Sequence, residues 1–158
     1  MPPETIPITT RPATAADLPE VHRMLIALAA HHGDQATIRP AQLARLALHD
    51  PAVTVLVAHL RASPSPHPVG YALIQRLPNP VTGGSRGDIA HLFVQADLRG
   101  RGIGRALISA ARELARHEGI ERLSIGTPPA NAAAVAVYRA MGLAELPIPG
   151  PRFAVIAG

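Results

Sequence analysis

The stretch LFVQADLRGRGIGRALISAARELAR, residues 92 to 116, most constrains what this chain can become. An apolar run of strand type passes through Arg99, Gly100, Arg101, Gly102, Ile103, Gly104 and Arg105 into a helix marked by Ile103, Leu107, Ala110 and Leu114. The first N–H groups of a helix lack internal partners and carry the positive end of its dipole. Glycines let the backbone close around a bulky anion, and arginines add charge-assisted contacts to its oxygens. Strand, glycine turn, arginines and helix start together point to a phosphate-binding loop. It is not a dinucleotide fingerprint, because the glycine required at 105 or 107 is replaced by Arg105 and Leu107.

The rest of the chain supplies elements of both kinds. Ile8 to Thr14 reads as a first strand, with Thr14 and Asp17 forming a capping box for a helix that runs through Leu18, Val21, Leu25 and Leu28 to Ala30. Pro40 opens a short second helix around Leu43, Leu46 and Ala47 that stops before Pro51. The β-branched runs Ala52 to Leu60 and Val69 to Leu77 predict two strands joined by a proline-rich connection. After a loop from Pro78 to Gly87 come a strand over Asp88 to Gln95, the glycine-led helix closed by Gly119 and a strand over IERLSIG. A last helix over NAAAVAVYRAMG and a closing strand over RFAVIA (residues 152 to 157) complete the order β-α-α-β-β-β-α-β-α-β, a mixed α/β layer.

Composition narrows the chemistry. At 158 residues and 47% hydrophobic content the chain suits one packed domain. It has no cysteine, and all fifteen basic residues are arginine. A thiol nucleophile, a thiolate metal site, a Schiff base and the lysine-bearing phosphate loop are thereby excluded. The eight histidines show no metal-ligand spacing, and adjacent His31 and His32 point about 100° apart on a helix, so no metal is expected. The formal charge of +4 favours anionic ligands in general, but scattered arginines and 3% aromatic content argue against nucleic acid. No apolar run reaches the roughly 20 residues of a membrane span and no signal pattern opens the chain, so a soluble cytoplasmic protein is expected.

RGRGIG, Arg99 to Gly104, resembles the Arg/Gln-x-x-Gly-x-Gly/Ala coenzyme A pyrophosphate loop of the Gcn5-related N-acetyltransferase (GNAT) family. TTRPATAADLPEV is similar to that family's first strand and helix, and LVAHL with PVGYALI to its central hairpin. LFVQADLRGRGIGRALI is similar to its fourth strand and third helix, and NAAAVAVYRAMGL to its last motif. The resemblance covers roughly residues 6 to 146. It implies a single acetyltransferase domain over residues 1–158, with a mixed, mostly antiparallel sheet flanked by helices, the acyl-CoA N-acyltransferase fold. It also implies direct transfer of an acetyl group from acetyl-CoA to an amine, and it leaves a homodimer through the C-terminal strand open. A non-catalytic acyl-CoA sensor is the alternative.

Site roles follow residue by residue. Gly100 to Arg105, with Arg99, are expected to hold the pyrophosphate, the backbone of Leu92, Phe93 and Val94 to pair with the pantetheine amides, and Asn131 to contact the pantetheine or its water. Tyr138, seven residues after Asn131, shares its helical face, and its phenol is protonated at pH 7 and able to serve the departing thiolate. Many relatives place Glu or His where this chain has Ala90. Asp88, His91 or water then remains for the amine's proton, and strand alternation puts Asp88 and His91 on opposite faces. His31, His32 and Asp34 fall in the first helix-to-helix connection, where relatives often build the acceptor site.

Overall fold

The structure, a computed structural model, describes residues 6–62, 65–148 and 150–156. They fall into two units, one up to Gly126 and one from Thr127 onward. In the first, β1 (Ile8–Pro12), α1 (Leu18–His31), α2 (Pro40–His49), β2 (Val53–Leu60), β3 (Gly70–Pro78), β4 (Ser85–Val94), α3 (Ile103–His117) and β5 (Ile120–Ile125) follow in sequence. Strand order in space equals strand order in the chain, antiparallel from β1 to β4 and parallel between β4 and β5.

Alternation sorts the strand residues onto two faces. Val55, Val57, Tyr71 and Leu73 face α1 and α2 and close a core with Val21, Met24, Leu25, Leu28 and Leu43. The other face carries α3, whose buried stripe is Ile103, Leu107, Ile108, Ala111 and Ala115, with Ala110 and Leu114 half-buried at its margin. A Cβ at Gly70 would stand 2.8 Å from the Phe93 carbonyl oxygen and 3.2 Å from Ile103 Cγ2, so a bare backbone is what lets α3 approach β3.

One extra residue sits in β4. The register runs Leu73↔His91 and then Ile74↔Ile89, so Ala90 bulges out of the ladder. Asp88 therefore pairs with Gln75 and His91 with Leu73, two residues apart on β3 and on one face. The opposite-face expectation for Asp88 and His91 is corrected by this bulge, which shifts the strand's phase by one.

Asp17 ties the entry of α1 to the sheet. The Arg11 guanidinium donates to both carboxylate oxygens, at 2.6 and 3.1 Å, and the Thr14 N–H and hydroxyl donate at 2.8 and 3.1 Å. A short 3₁₀ turn, Ala15–Asp17, precedes the α-helix proper. Burial alone would raise the Asp17 carboxyl, but the Arg11 and Thr14 hydrogen bonds outweigh it and lower the pKa from 3.8 to about 2. Arg11 Nη2, which also donates to Asp17 Oδ1, donates to His59 Nε2 at 3.0 Å, and burial followed by the Arg11 charge pushes His59 down.

The second unit holds α4 (Ala132–Ala140). The closing strand expected over RFAVIA does not form within the described residues: 152–156 adopt no regular structure, and Ala157 lies outside them. Phe153, Val155 and Ile156 stand 92%, 96% and 89% exposed. An alternating apolar run becomes a strand only where a ladder partner meets it, and among the described residues none pairs with this one.

Replacing Asp17 with Asn should cost about 1–3 kcal/mol of stability at pH 7, the range for a buried hydrogen-bonding group that loses its partner. Because the folded carboxyl is depressed, its contribution is complete above about pH 3.8 and is lost as pH falls through about 2. In urea titrations the gap between wild type and Asp17→Asn should narrow over that window. Equal stabilities at pH 7 would contradict this assignment.

Candidate functional site

Two features of the first unit carry the chemistry: the exit from β4 into α3, and a cleft beside the α1–α2 connection. β4 pairs with β5 only from Ser85 to Ile89. From His91 to Val94 its ladder partners lie on β3 alone, so among the described residues the β5-facing side of the segment Leu92 to Val94 has no strand against it. A 3₁₀ turn, Ala96–Leu98, then leads to the glycines.

Gly100 and Gly102 have φ of +77° and +88°, a left-handed conformation that L side chains adopt at a cost, and Gly102 caps α3 in it. No protein atom lies within 4 Å of a Cβ built on either, so backbone conformation and not space demands glycine there. Gly104 is different. It lies inside the helix, and a Cβ there would meet only Val94 Cγ2 at an ordinary 3.9 Å, so the protein's own packing gives no reason for its being bare. The first α3 hydrogen bond to close on the cap runs from Ala106 N–H to the Gly102 carbonyl, and the N–H groups of Ile103, Gly104 and Arg105 precede it.

Arg99 is partly engaged by the fold. Its Nε–H donates to the Val94 carbonyl at 3.0 Å, and its guanidinium carbon stands 5.4 Å from the Phe93 ring centroid, a cation–π contact. Arg101 and Arg105 are exposed at the same helix end.

The cleft encloses about 500 Å³. Leu25, Leu28 and Ile38 give it an apolar lining, and His32, Asp34 and His91 contribute polar side chains. The α1–α2 connection that forms one wall is pinned by His22, whose Nε2–H donates to the Ile38 carbonyl at 2.8 Å. His91 Nδ1 lies 3.1 Å from the Tyr71 hydroxyl, with the two rings edge to face at 6.0 Å between centroids. Burial, then the nearby His32, pushes the His91 imidazole down, and burial pushes the Tyr71 phenol far up. Asp88, by contrast, is not part of the cleft lining. Its Oδ1 accepts from the Ser124 hydroxyl at 3.0 Å.

Asn131 and Tyr138 belong to the second unit. Asn131 is the N-cap of α4, its Oδ1 accepting from the Ala134 N–H at 3.1 Å, and burial raises the half-buried Tyr138 phenol, which keeps it protonated. Sequence reasoning missed Tyr71 and His22. Tyr71 sits inside the apolar run VGYALI and carries no sequence signal apart from packing, and its partner emerges only once the Ala90 bulge sets the register. Among the described residues no group of three or more His, Cys, Asp or Glu side chains could hold a metal ion, and no helix is long and apolar enough to cross a membrane.

The sequence model of the acetyltransferase (GNAT) family matches residues 21–143, well over half of the chain, and the chain belongs to that family of acyltransferase enzymes. Solved structures share the fold. An aminoglycoside acetyltransferase from an uncultured soil metagenomic sample, solved with trehalose, superposes with a TM-score of 0.78 at 20% identity, covering 94% of this chain and 97% of that one. The ribosomal-protein-alanine N-acetyltransferase of Brucella melitensis superposes with a TM-score of 0.73 at 23% identity, over 94% and 99% of the two chains. A putative acetyltransferase from Agrobacterium tumefaciens does so with a TM-score of 0.75 at 23% identity, over 92% and 99%. No curated protein matches the chain.

Gly102→Ala should destabilise the protein by about 1–2 kcal/mol, the cost of a left-handed residue with a Cβ. Gly104→Ala should leave stability unchanged or raise it by up to about 1 kcal/mol, since alanine is the better helix former. Thermal and urea unfolding of the two variants check this contrast, and a Gly104→Ala protein as damaged as Gly102→Ala would overturn it.

Proposed function

We propose that this protein transfers an acetyl group from acetyl-CoA directly to an amine, and that residues 1–158 form one acetyltransferase domain for the purpose. The observation that carries the reading is the run of β4 from Leu92 to Val94, paired with β3 on one side and with no strand on the other among the described residues, leading straight to the N–H groups at the start of α3. The family match across residues 21–143 spans both units and supports treating them as one domain.

The residues present fit the carrier. The side of β4 that no strand covers between Leu92 and Val94 suits the two pantetheine amides, which would take over the Val94 carbonyl that Arg99 Nε–H holds here. N–H groups of Ile103, Gly104 and Arg105, with the guanidinium groups of Arg99, Arg101 and Arg105, suit a diphosphate. A bare Gly104, which the protein's packing does not require, suits close approach of that diphosphate to the helix. Asn131 belongs to the same reading as a pantetheine contact, with its side chain also capping α4.

Acetyl-CoA supplies a thioester carbonyl for the amine to attack and a thiolate that leaves. Two proton tasks remain for the chain. An alkyl amine with a pKa near ~10.4 pays roughly 4.6 kcal/mol to present its neutral form at pH 7. The apolar lining of Leu25, Leu28 and Ile38 lowers that cost by disfavouring the charged form. Of the two side chains that could meet the amine, His91 lines the cleft while Asp88 is held by Ser124, so we place His91 at the acceptor and leave the amine's proton to solvent. Tyr138, kept protonated by burial, is the donor for the thiolate. Amines are also the acceptors named for the aminoglycoside and ribosomal-protein-alanine enzymes that share this fold, which supports the class without choosing within it. We place the activity in the cytoplasm, independent of nucleic acid and membrane, with a homodimer compatible with it.

Acetyl-CoA consumption against a panel of hydroxylated amines, amino amides and alkyl amines tests the proposal, with turnover on at least one expected. Gly104→Ala should weaken acetyl-CoA binding at least severalfold while the fold stays intact. Tyr138→Phe should lower kcat by about 10²–10⁴-fold, the usual worth of a general acid, with little change in acetyl-CoA affinity. Tight acetyl-CoA binding with no turnover on any amine would replace the enzyme with an acyl-CoA sensor, a reading that Ala90, exposed and bulged where relatives carry a base, also favours.

A further inference from the structure

Tyr71 is fully buried, at 0% exposure, in the core between the sheet and α1–α2, an unusual place for a phenol. A buried hydroxyl that finds no acceptor is destabilising. Among the described residues the one polar group in reach of the Tyr71 oxygen is His91 Nδ1, at 3.1 Å. His91 itself lines the cleft, and its other ring nitrogen, Nε2, has no partner among the described residues.

Three protonation states of the pair can be compared. With the proton on Nδ1, that N–H donates to the phenol oxygen and the buried O–H is orphaned. In the imidazolium both nitrogens carry protons, and the same O–H is orphaned again. With the proton on Nε2, the Tyr71 O–H donates to the Nδ1 lone pair and every buried group is satisfied. Burial, then the nearby His32, disfavours the imidazolium in addition.

We infer that Tyr71 is a positioning residue that locks His91 as the Nε2–H tautomer, so that the cleft wall presents a neutral hydrogen-bond donor to an oxygen atom of the acceptor. The inference rests on reading the cleft as the acceptor site. Asp34, from the α1–α2 connection, is the one carboxylate in the lining, which also includes Gln35 and His32. A carboxylate to accept from an amine N–H and an N–H donor for an oxygen select a particular class of acceptor: an amine with a hydroxyl or carbonyl oxygen a few bonds away. A plain alkyl amine leaves His91 unanswered. His91 in this state holds a substrate oxygen and does not take the amine's proton, consistent with deprotonation through solvent.

The test is direct. Long-range proton–nitrogen correlation spectra of the ¹⁵N-labelled full chain, with His91 assigned through His91→Asn, report which ring nitrogen carries the proton. At pH 7.5 Nε2 should be protonated and Nδ1 bare, and in Tyr71→Phe the ring should redistribute between tautomers. A proton on Nδ1 in the wild type, or a tautomer unchanged in Tyr71→Phe, overturns the inference. Turnover then checks the acceptor class: kcat/KM for glycinamide or 2-aminoethanol should exceed that for propylamine by roughly tenfold, the worth of one hydrogen bond, and His91→Phe should abolish the preference. No preference in the wild type overturns the class. Failure to bind acetyl-CoA would instead remove the proposed activity and leave the tautomer measurement standing.

Discussion

β4 is antiparallel to β3 and parallel to β5, and that mixed pairing is the constraint from which the rest follows. Antiparallel neighbours can be joined by a turn, but a parallel neighbour requires the chain to travel back over the sheet before it can pair again. Here α3 makes that crossing. Its N-terminus must therefore begin just beyond the carboxyl end of β4, which brings free helix N–H groups to the end of a strand whose own outer edge is unpaired from Ala90 onward. The turn between them is too tight for ordinary residues, and left-handed Gly100 and Gly102 resolve it. In the proposed reading, anion binding is thus a by-product of topology, which Arg99, Arg101 and Arg105 reinforce.

The bulge at Ala90 has the second large consequence. One extra residue leaves β4 in phase with α3 on one face and turns His91 and Phe93 toward the α1–α2 side on the other, alongside Leu73 and Tyr71. The same irregularity falls where pairing with β5 stops. A strand that is regular to its end would continue its parallel ladder and would leave no edge for a second ligand to use. The departure from ideal geometry thus lies between the uncovered edge of β4 and the cleft that His91 lines.

Much of this was legible in residues that carry their own local physics. Val21, Leu25 and Leu28 at helical spacing, Thr14 with Asp17, and the glycines beside Arg99 and Arg101 each act within a few residues of themselves, and each stands where the sequence suggests. What sequence could not supply depends on register. Asp88 and His91 are three apart, so alternation separates them, and only a bulge without any glycine or proline to announce it brings them to one face. Tyr71 and His91 are twenty residues apart, and their hydrogen bond exists because of that same offset. The apolar run from Phe153 to Ile156 shows the opposite failure: a strand pattern without a partner remains exposed chain.

The central claim is that the start of α3 grips the diphosphate of coenzyme A while the free edge of β4 holds its pantetheine arm. Isothermal titration calorimetry of the intact protein with coenzyme A and with pantetheine, which lacks the diphosphate, separates the two halves. The account predicts that coenzyme A binds at least a hundredfold more tightly, about 2.7 kcal/mol, and that this advantage shrinks as salt is raised. Equal affinities for the two ligands, insensitive to salt, would contradict it.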